Sequence, residues 1–101
     1  MEEETEMIRV KIPRRGEILG ILKSNLGGSR FEVKCSDGFT RICRIPWKLK
    51  KKLWVRVGDL VIIEPWTVQS NERGDIVWMY TRAQAIWLER KGFLKNISLE
   101  I

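Results

Sequence analysis

Residues Arg30 to Cys35 (RFEVKC) alternate strictly, with Phe31, Val33 and Cys35 on one side and Arg30, Glu32 and Lys34 on the other. A period of two belongs to a half-buried β-strand and not to a helix. Asp37-Gly38 follows at once, a pair that favours a two-residue type I′ turn, and Phe39 to Ile45 reads as the returning strand. A hairpin with one apolar and one charged face needs a cover over its apolar side, so a compact barrel or sandwich is expected.

A two-residue turn implies a register with Val33 opposite Ile42, Cys35 opposite Thr40, and Lys34 opposite Arg41. Like charges directly opposite on an outer face destabilise by about a few tenths of a kcal/mol. The Lys34/Arg41 pair therefore points to a compensating anion, or to two long side chains splayed into water. The same register sets Cys35 and Cys43 out of line and on opposite faces, so a disulfide is not expected and both read as buried packing residues.

Around this hairpin, Gly16 to Lys23 reads as a strand and Ser24 to Ser29 as a flexible loop. Pro46 suits the first position of a short helix over Trp47 to Leu53, with Leu49 and Leu53 one above the other as its anchor. Lys48, Lys50, Lys51 and Lys52 then fan over its remaining directions. Val57-Gly58-Asp59 is a turn, and Leu60 to Trp66 is a nearly continuous apolar strand expected to be buried on both faces. Ser70 to Gly74 is a polar loop, and Asp75 to Arg82 a fifth strand. Thr81 is placed to cap a closing helix, Arg82 to Lys91, in which Ala85, Ile86 and Leu88 cluster before Gly92.

Five strands with a small helix between the third and fourth is the order of an OB-fold, a mainly β Greek-key barrel whose second and third strands and 1-2 and 4-5 loops bind oligonucleotides. The expected organisation is a flexible charged tail over 1–15, the barrel over 16–82, and a C-terminal helix with a short tail packed on it over 83–101.

The chain of 101 residues carries a net charge of +6, but unevenly. Residues 1–10 hold one Arg and four Glu, net −3; residues 11–56 hold thirteen Lys/Arg against three acids, net +10; residues 57–101 hold five against six, net −1. Arg41 to Arg56 alone carries seven cations and no acid. Charge concentrated in the first half of the fold should form one face and select a polyanion. Lys34, Arg41, Arg44, Lys48, Lys50, Lys51, Lys52 and Arg56 are the candidate RNA-phosphate contacts.

The aromatic residues qualify the kind of binding. Trp54, Trp66 and Trp78 sit in apolar runs and read as core, and no array of exposed stacking rings is evident. Trp47 either stacks on an unpaired base or lids one end of the barrel; the residues alone leave both open. Binding should rest on phosphate and shape rather than on base readout.

Catalysis finds no support. There is no His, the carboxylates are scattered, and the two Cys have no metal-ligand spacing, so no enzyme, cofactor or metal is expected. Apolar runs of four or five residues do not span a membrane, and a start of MEEETE is no signal peptide, which leads to a cytoplasmic protein without membrane contact.

At RICRIPWKLKKKLWV the chain closely resembles the translation initiation factor 1A family, and the resemblance runs from about Arg14 to Leu94. DGFTR, VGDLVIIEPWTVQ, DIVWMYTRAQ and WLERKGFL support it in order. The helix after the fifth strand separates it from the shorter bacterial initiation factor one, and the lack of a long acidic C-terminal tail resembles the archaeal branch. Trp47 is a departure, standing where the family usually has Gly.

The resemblance implies a factor at the decoding A site of the small ribosomal subunit, contacting its rRNA, helping to recruit initiator tRNA and select the start codon, and meeting other initiation factors. By motif position Arg41, Arg44, Lys48, Lys50, Lys51 and Lys52 would carry the rRNA contacts. Lys34 and Arg56 come from register and charge instead. Lys11, Arg14 and Arg15 resemble the family's flexible basic tail. A monomer is expected. Two other readings are an OB-fold RNA-binding protein or RNA chaperone acting off the ribosome, and an interaction scaffold using an exposed Trp87 on the C-terminal helix.

Overall fold

Leu60, Val61, Ile62 and Ile63 are consecutive and all buried, which a strand achieves only when both its faces are covered. The computed structural model, which describes residues 10–99, shows how. Strands β1 (Ile18–Gly27), β2 (Arg30–Cys35), β3 (Thr40–Arg44), β4 (Leu60–Pro65) and β5 (Arg73–Met79) close into a barrel in the order β1-β2-β3-β5-β4. All pairs are antiparallel except β3 with β5, which is parallel. This is the expected OB-fold. A single 3₁₀ turn, Trp47–Leu49, connects β3 to β4, and helix α1 (Arg82–Arg90) follows β5.

Two cores explain the burial on both sides of β1 and β4. Leu22, Val33, Cys35, Cys43, Val61, Ile63 and Ile76 belong to one apolar cluster, that of the barrel. Leu19, Ile21, Leu60 and Ile62 project the other way, against Ala85 and Leu88 of α1, with Val10, Tyr80 and Ile97 completing that second cluster. Thr81 caps α1 as expected: its hydroxyl accepts from the Gln84 backbone while the Gln84 side chain accepts from the Thr81 backbone. Gly92, at φ 81°, ends the helix, with Phe93 N–H reaching Leu88 O and Gly92 N–H reaching Glu89 O in a Schellman arrangement.

Both hairpin turns depart from expectation. β1 runs on to Gly27, so the expected Ser24 to Ser29 loop shrinks to Gly28-Ser29, whose φ values of 60° and 61° give this two-residue turn the type I′ character expected at Asp37-Gly38. The β2–β3 hairpin instead closes through three residues, Ser36-Asp37-Gly38. Gly38 N–H donates to Cys35 O, Cys35 N–H donates to Phe39 O, and Gly38 takes φ 94°. This one extra loop residue shifts the register by one: Val33 faces Arg41, Lys34 faces Thr40, and Arg30 faces Arg44. Since side chains alternate, every residue of β3 changes face.

The two thiols consequently share the inward face, both buried and both free, with Cys43 paired across to Phe31 rather than to Cys35. Burial pushes the Cys43 thiol up to about 12 and raises that of Cys35, so both stay protonated packing groups.

Val10 and Lys11, within the flexible tail expected over 1–15, lie against the barrel instead. Val10 is buried in the outer core, the Tyr80 hydroxyl donates to the Lys11 carbonyl, and the Lys11 ammonium sits 4.7 Å from the Trp78 ring centroid. Trp78, expected as core, is 38% exposed beneath that lysine. Residues 1–9, including the acidic Glu2 to Glu6 stretch, lie outside the described residues.

Gly20 marks a close approach of β1 to its neighbours. A Cβ there would lie 2.5 Å from Val33 Cγ1, 3.2 Å from Lys34 O and 3.4 Å from Ile63 Cγ1. Gly20→Ala should cost about 1–3 kcal/mol through overpacking, read as a lower urea midpoint at unchanged slope; an unchanged midpoint would show that β1 and β2 can separate without penalty.

Candidate nucleic-acid interface

Arg41 is only 2% exposed. The register places it on the inward face beside Val33, and a buried guanidinium must be paired to be tolerated. Its Nη1 and Nη2 donate to the two carboxylate oxygens of Asp37 at 2.9 and 2.8 Å, and its Nε donates to Ser70 O at 2.6 Å. Arg41 thus joins the β2–β3 turn to the β4–β5 loop. These bonds hold the Asp37 carboxyl below the usual carboxylate range and keep the guanidinium charged. Arg41, expected to contact RNA, has its Nε, Nη1 and Nη2 engaged within the fold instead.

The lysine-rich turn is built as anticipated, though with one turn of 3₁₀ helix in place of a longer helix over Trp47 to Leu53. Pro46 precedes it, Leu49 N–H donates to Pro46 O, and Leu53 N–H donates to Leu49 O. Leu53 is buried in the barrel core and Leu49 packs against it. With both leucines turned inward, Lys48, Lys50, Lys51 and Lys52 are all exposed. Trp47 and Trp54 bracket them, each 77% exposed. Trp47 therefore does not lid the barrel, and Trp54, expected in the core, stands in solvent.

Beside this turn lies the outer face of β2, β3 and β5. Lys34 and Arg41 are not opposite one another; the like-charged pair across β2 and β3 is Arg30 with Arg44, both exposed. Arg44 lies over Trp66, 4.7 Å from the guanidinium carbon to the ring centroid, and Trp66 Nε1 donates to Asp75 Oδ1 at 2.9 Å. Trp66, expected as core, is half-buried and faces this surface. The alternation of RFEVKC already turned Arg30 outward, but only the parallel β3–β5 pairing brings Arg73 and Asp75 alongside Ile42 and Arg44.

Other candidates sit elsewhere. Lys34 is four residues along β2 from Arg30, about 13 Å away at strand spacing. It lines a separate groove of about 260 Å³ with Ile21, Lys23, Asn96, Ile97 and Ser98, where the C-terminal segment crosses β1 and β2. Arg56 is exposed at the turn into β4, its backbone N–H on Asp59 Oδ2. Arg14 and Arg15 are exposed at the entry to β1, where Arg14 N–H is held by Glu17 Oε1. Trp87, the basis of the scaffold reading, is half-buried on the outer core and stacks with Phe93 at 6.3 Å.

Among the described residues no helix is long and apolar enough to cross a membrane. Residues 6–99 match the sequence family described as translation initiation factor 1A / IF-1. A translation initiation factor 1A of Methanothermobacter thermautotrophicus is 52% identical over 90 residues, covering 89% of this chain and 91% of that one. The factor of the same name from Archaeoglobus fulgidus is 50% identical over 97 residues, covering 94% and 99%. In three dimensions the barrel is similar to the solution structure of translation initiation factor one from a Wolbachia endosymbiont of Brugia malayi, with a TM-score of 0.53 and 24% identity over 65% of this chain and 78% of that one. The last likeness is one of fold alone.

The Arg41–Asp37 pair gives a pH signature. Because the folded-state pKa of Asp37 lies below its unfolded value, its stabilisation is fully present above the ordinary Asp range and is lost as pH falls through the folded value. Asp37→Asn should cost of order 2 kcal/mol at about pH 7 by leaving Arg41 buried without its counter-charge. Urea titrations should show that gap closing as pH falls below the ordinary Asp range of about 4; a gap constant with pH would show that the ion pair does not stabilise the fold.

Proposed function

The chain belongs to the translation initiation factor 1A / IF-1 family, a family of initiation factors rather than enzymes, and from that premise we propose that it binds the small ribosomal subunit at the decoding A site. There it assists initiator tRNA recruitment and start-codon selection, meeting initiator tRNA and other initiation factors directly or indirectly, as a monomer in the cytoplasm. The observation that carries this reading is the lysine turn. Four exposed lysines stand on a rigid leucine anchor, next to an outer face bearing Arg30 and Arg44.

Lys48, Lys50, Lys51, Lys52 and Arg44 contact rRNA phosphates, with Arg56 and Lys34 reaching the backbone further out. The turn is short and pinned at both ends, so its charges are presented without the ordering cost of a long flexible loop. Phosphate contacts position the factor on folded rRNA, and the shape of the decoding site supplies selectivity. Trp47 and Trp54, at the two ends of the lysine run, can stack on unpaired bases.

Those same exposed indoles favour a second reading, a single-strand RNA binder acting off the ribosome. It requires comparable affinity for unstructured oligonucleotides and for small subunits, whereas the ribosomal reading requires a large preference for subunits.

About five to eight phosphate contacts predict a log–log salt slope for subunit binding steeper than about −3. Reversing Lys50, Lys51 and Lys52 together to Glu should weaken co-sedimentation with archaeal small subunits by at least about tenfold, with an unaltered thermal midpoint because none of the three is packed. Unchanged co-sedimentation would sink this assignment of the site.

A further inference from the structure

Two arginines three residues apart on β3 are held in opposite ways. Arg41 is buried, and its guanidinium donates to Asp37 and Ser70. Arg44 is exposed, and among the described residues it makes neither an ion pair nor a side-chain hydrogen bond; its guanidinium carbon lies over the ring of Trp66, 4.7 Å from the centroid. Asp75 is its direct neighbour on β5, the obvious ion-pair partner, yet Asp75 Oδ1 accepts from Trp66 Nε1. The carboxylate holds the indole, and the guanidinium rests over that indole's ring.

A long surface arginine normally loses side-chain entropy when it grips a ligand. An arginine laid on a pinned indole has lost part of that freedom already, while its N–H fork remains open to two acceptors. Arg30, directly opposite on β2, adds positive potential without competing for hydrogen bonds. Such an arrangement suits a phosphate, which offers two anionic oxygens to a planar fork.

We infer that Arg44 is an indole-oriented guanidinium that takes one RNA phosphate through two N–H groups, with Trp66 and Asp75 as its positioning residues. The inference rests on the RNA-binding reading above and deepens it. It sets this contact apart from the lysine turn, whose flexible ammoniums act as point charges. At Arg44 charge alone does not suffice; shape and orientation carry the contact.

The test is RNA binding by the full chain, with two probes: archaeal small subunits, and a labelled mixed-sequence RNA stem-loop of about 30 nucleotides. Arg44→Lys keeps the charge but removes the fork, and should weaken binding about fivefold or more, while Arg82→Lys, on α1 away from this face, should not. Asp75→Asn and Asp75→Ala remove the same charge, but only Asn keeps an acceptor for the indole. Asp75→Asn should therefore bind at least about threefold more tightly than Asp75→Ala, at the same salt slope. Trp66→Leu should make Arg44→Lys nearly silent in the double variant. Full affinity in Arg44→Lys, or equal affinities for the two Asp75 variants, would overturn the inference while leaving the lysine turn intact. Failure of the unmodified chain to bind either probe would overturn both readings.

Discussion

The bidentate bond between Arg41 and Asp37, extended by Arg41 Nε to Ser70 O, holds the surface of this barrel in register. It ties the tip of the β2–β3 hairpin to the β4–β5 loop through Arg41, which lies 29 residues from Ser70 along the chain. With the three-residue turn fixed in this way, Val33 and Arg41 face inward and Arg30 and Arg44 face outward as a pair. A register one residue different would bury Arg44 and expose Arg41. The charged surface would then lose its fork and the core would gain an unpaired cation.

The second core has a related consequence. Leu19 and Ile21 of β1 and Leu60 and Ile62 of β4 are covered outside by α1, Val10 and Ile97, which closes that part of the barrel to a ligand. What stays open is the face of β2, β3 and β5 together with the lysine turn beyond β3. Arg30, Arg44 and the four lysines of the turn thus lie on the part of the barrel that the helix leaves uncovered. Covering one side of a small barrel with its own C-terminal helix both enlarges the buried apolar area and leaves one face for a polyanion.

Much of this was legible in the residues themselves. Periodicity gave away β2, the unbroken run Leu60 to Ile63 announced a strand buried on both faces, and Thr81 and Gly92 marked the ends of α1. The Leu49/Leu53 anchor followed from their spacing. The register did not, because Asp37-Gly38 fits both a two-residue turn and the last two positions of a three-residue one; the choice depends on where Arg41 finds its partners, a long-range matter. The exposure of Trp54 was hidden for a similar reason. It follows Leu53 in an apolar run, but once Leu53 is buried and the chain leaves the turn, nothing packs over the next ring. Trp66 depended on Asp75 and Arg44, which come together only through the parallel β3–β5 pairing.

The central claim is that the lysine turn and the adjacent outer face seat this chain against decoding-site rRNA. A hydroxyl-radical footprint of archaeal small-subunit rRNA, taken with and without the chain, tests it most directly. Seating at that site predicts a compact set of backbone protections confined to the decoding A site and lost when the lysine turn is charge-reversed. Protections scattered over the subunit, or a compact set elsewhere that survives charge reversal, would contradict it.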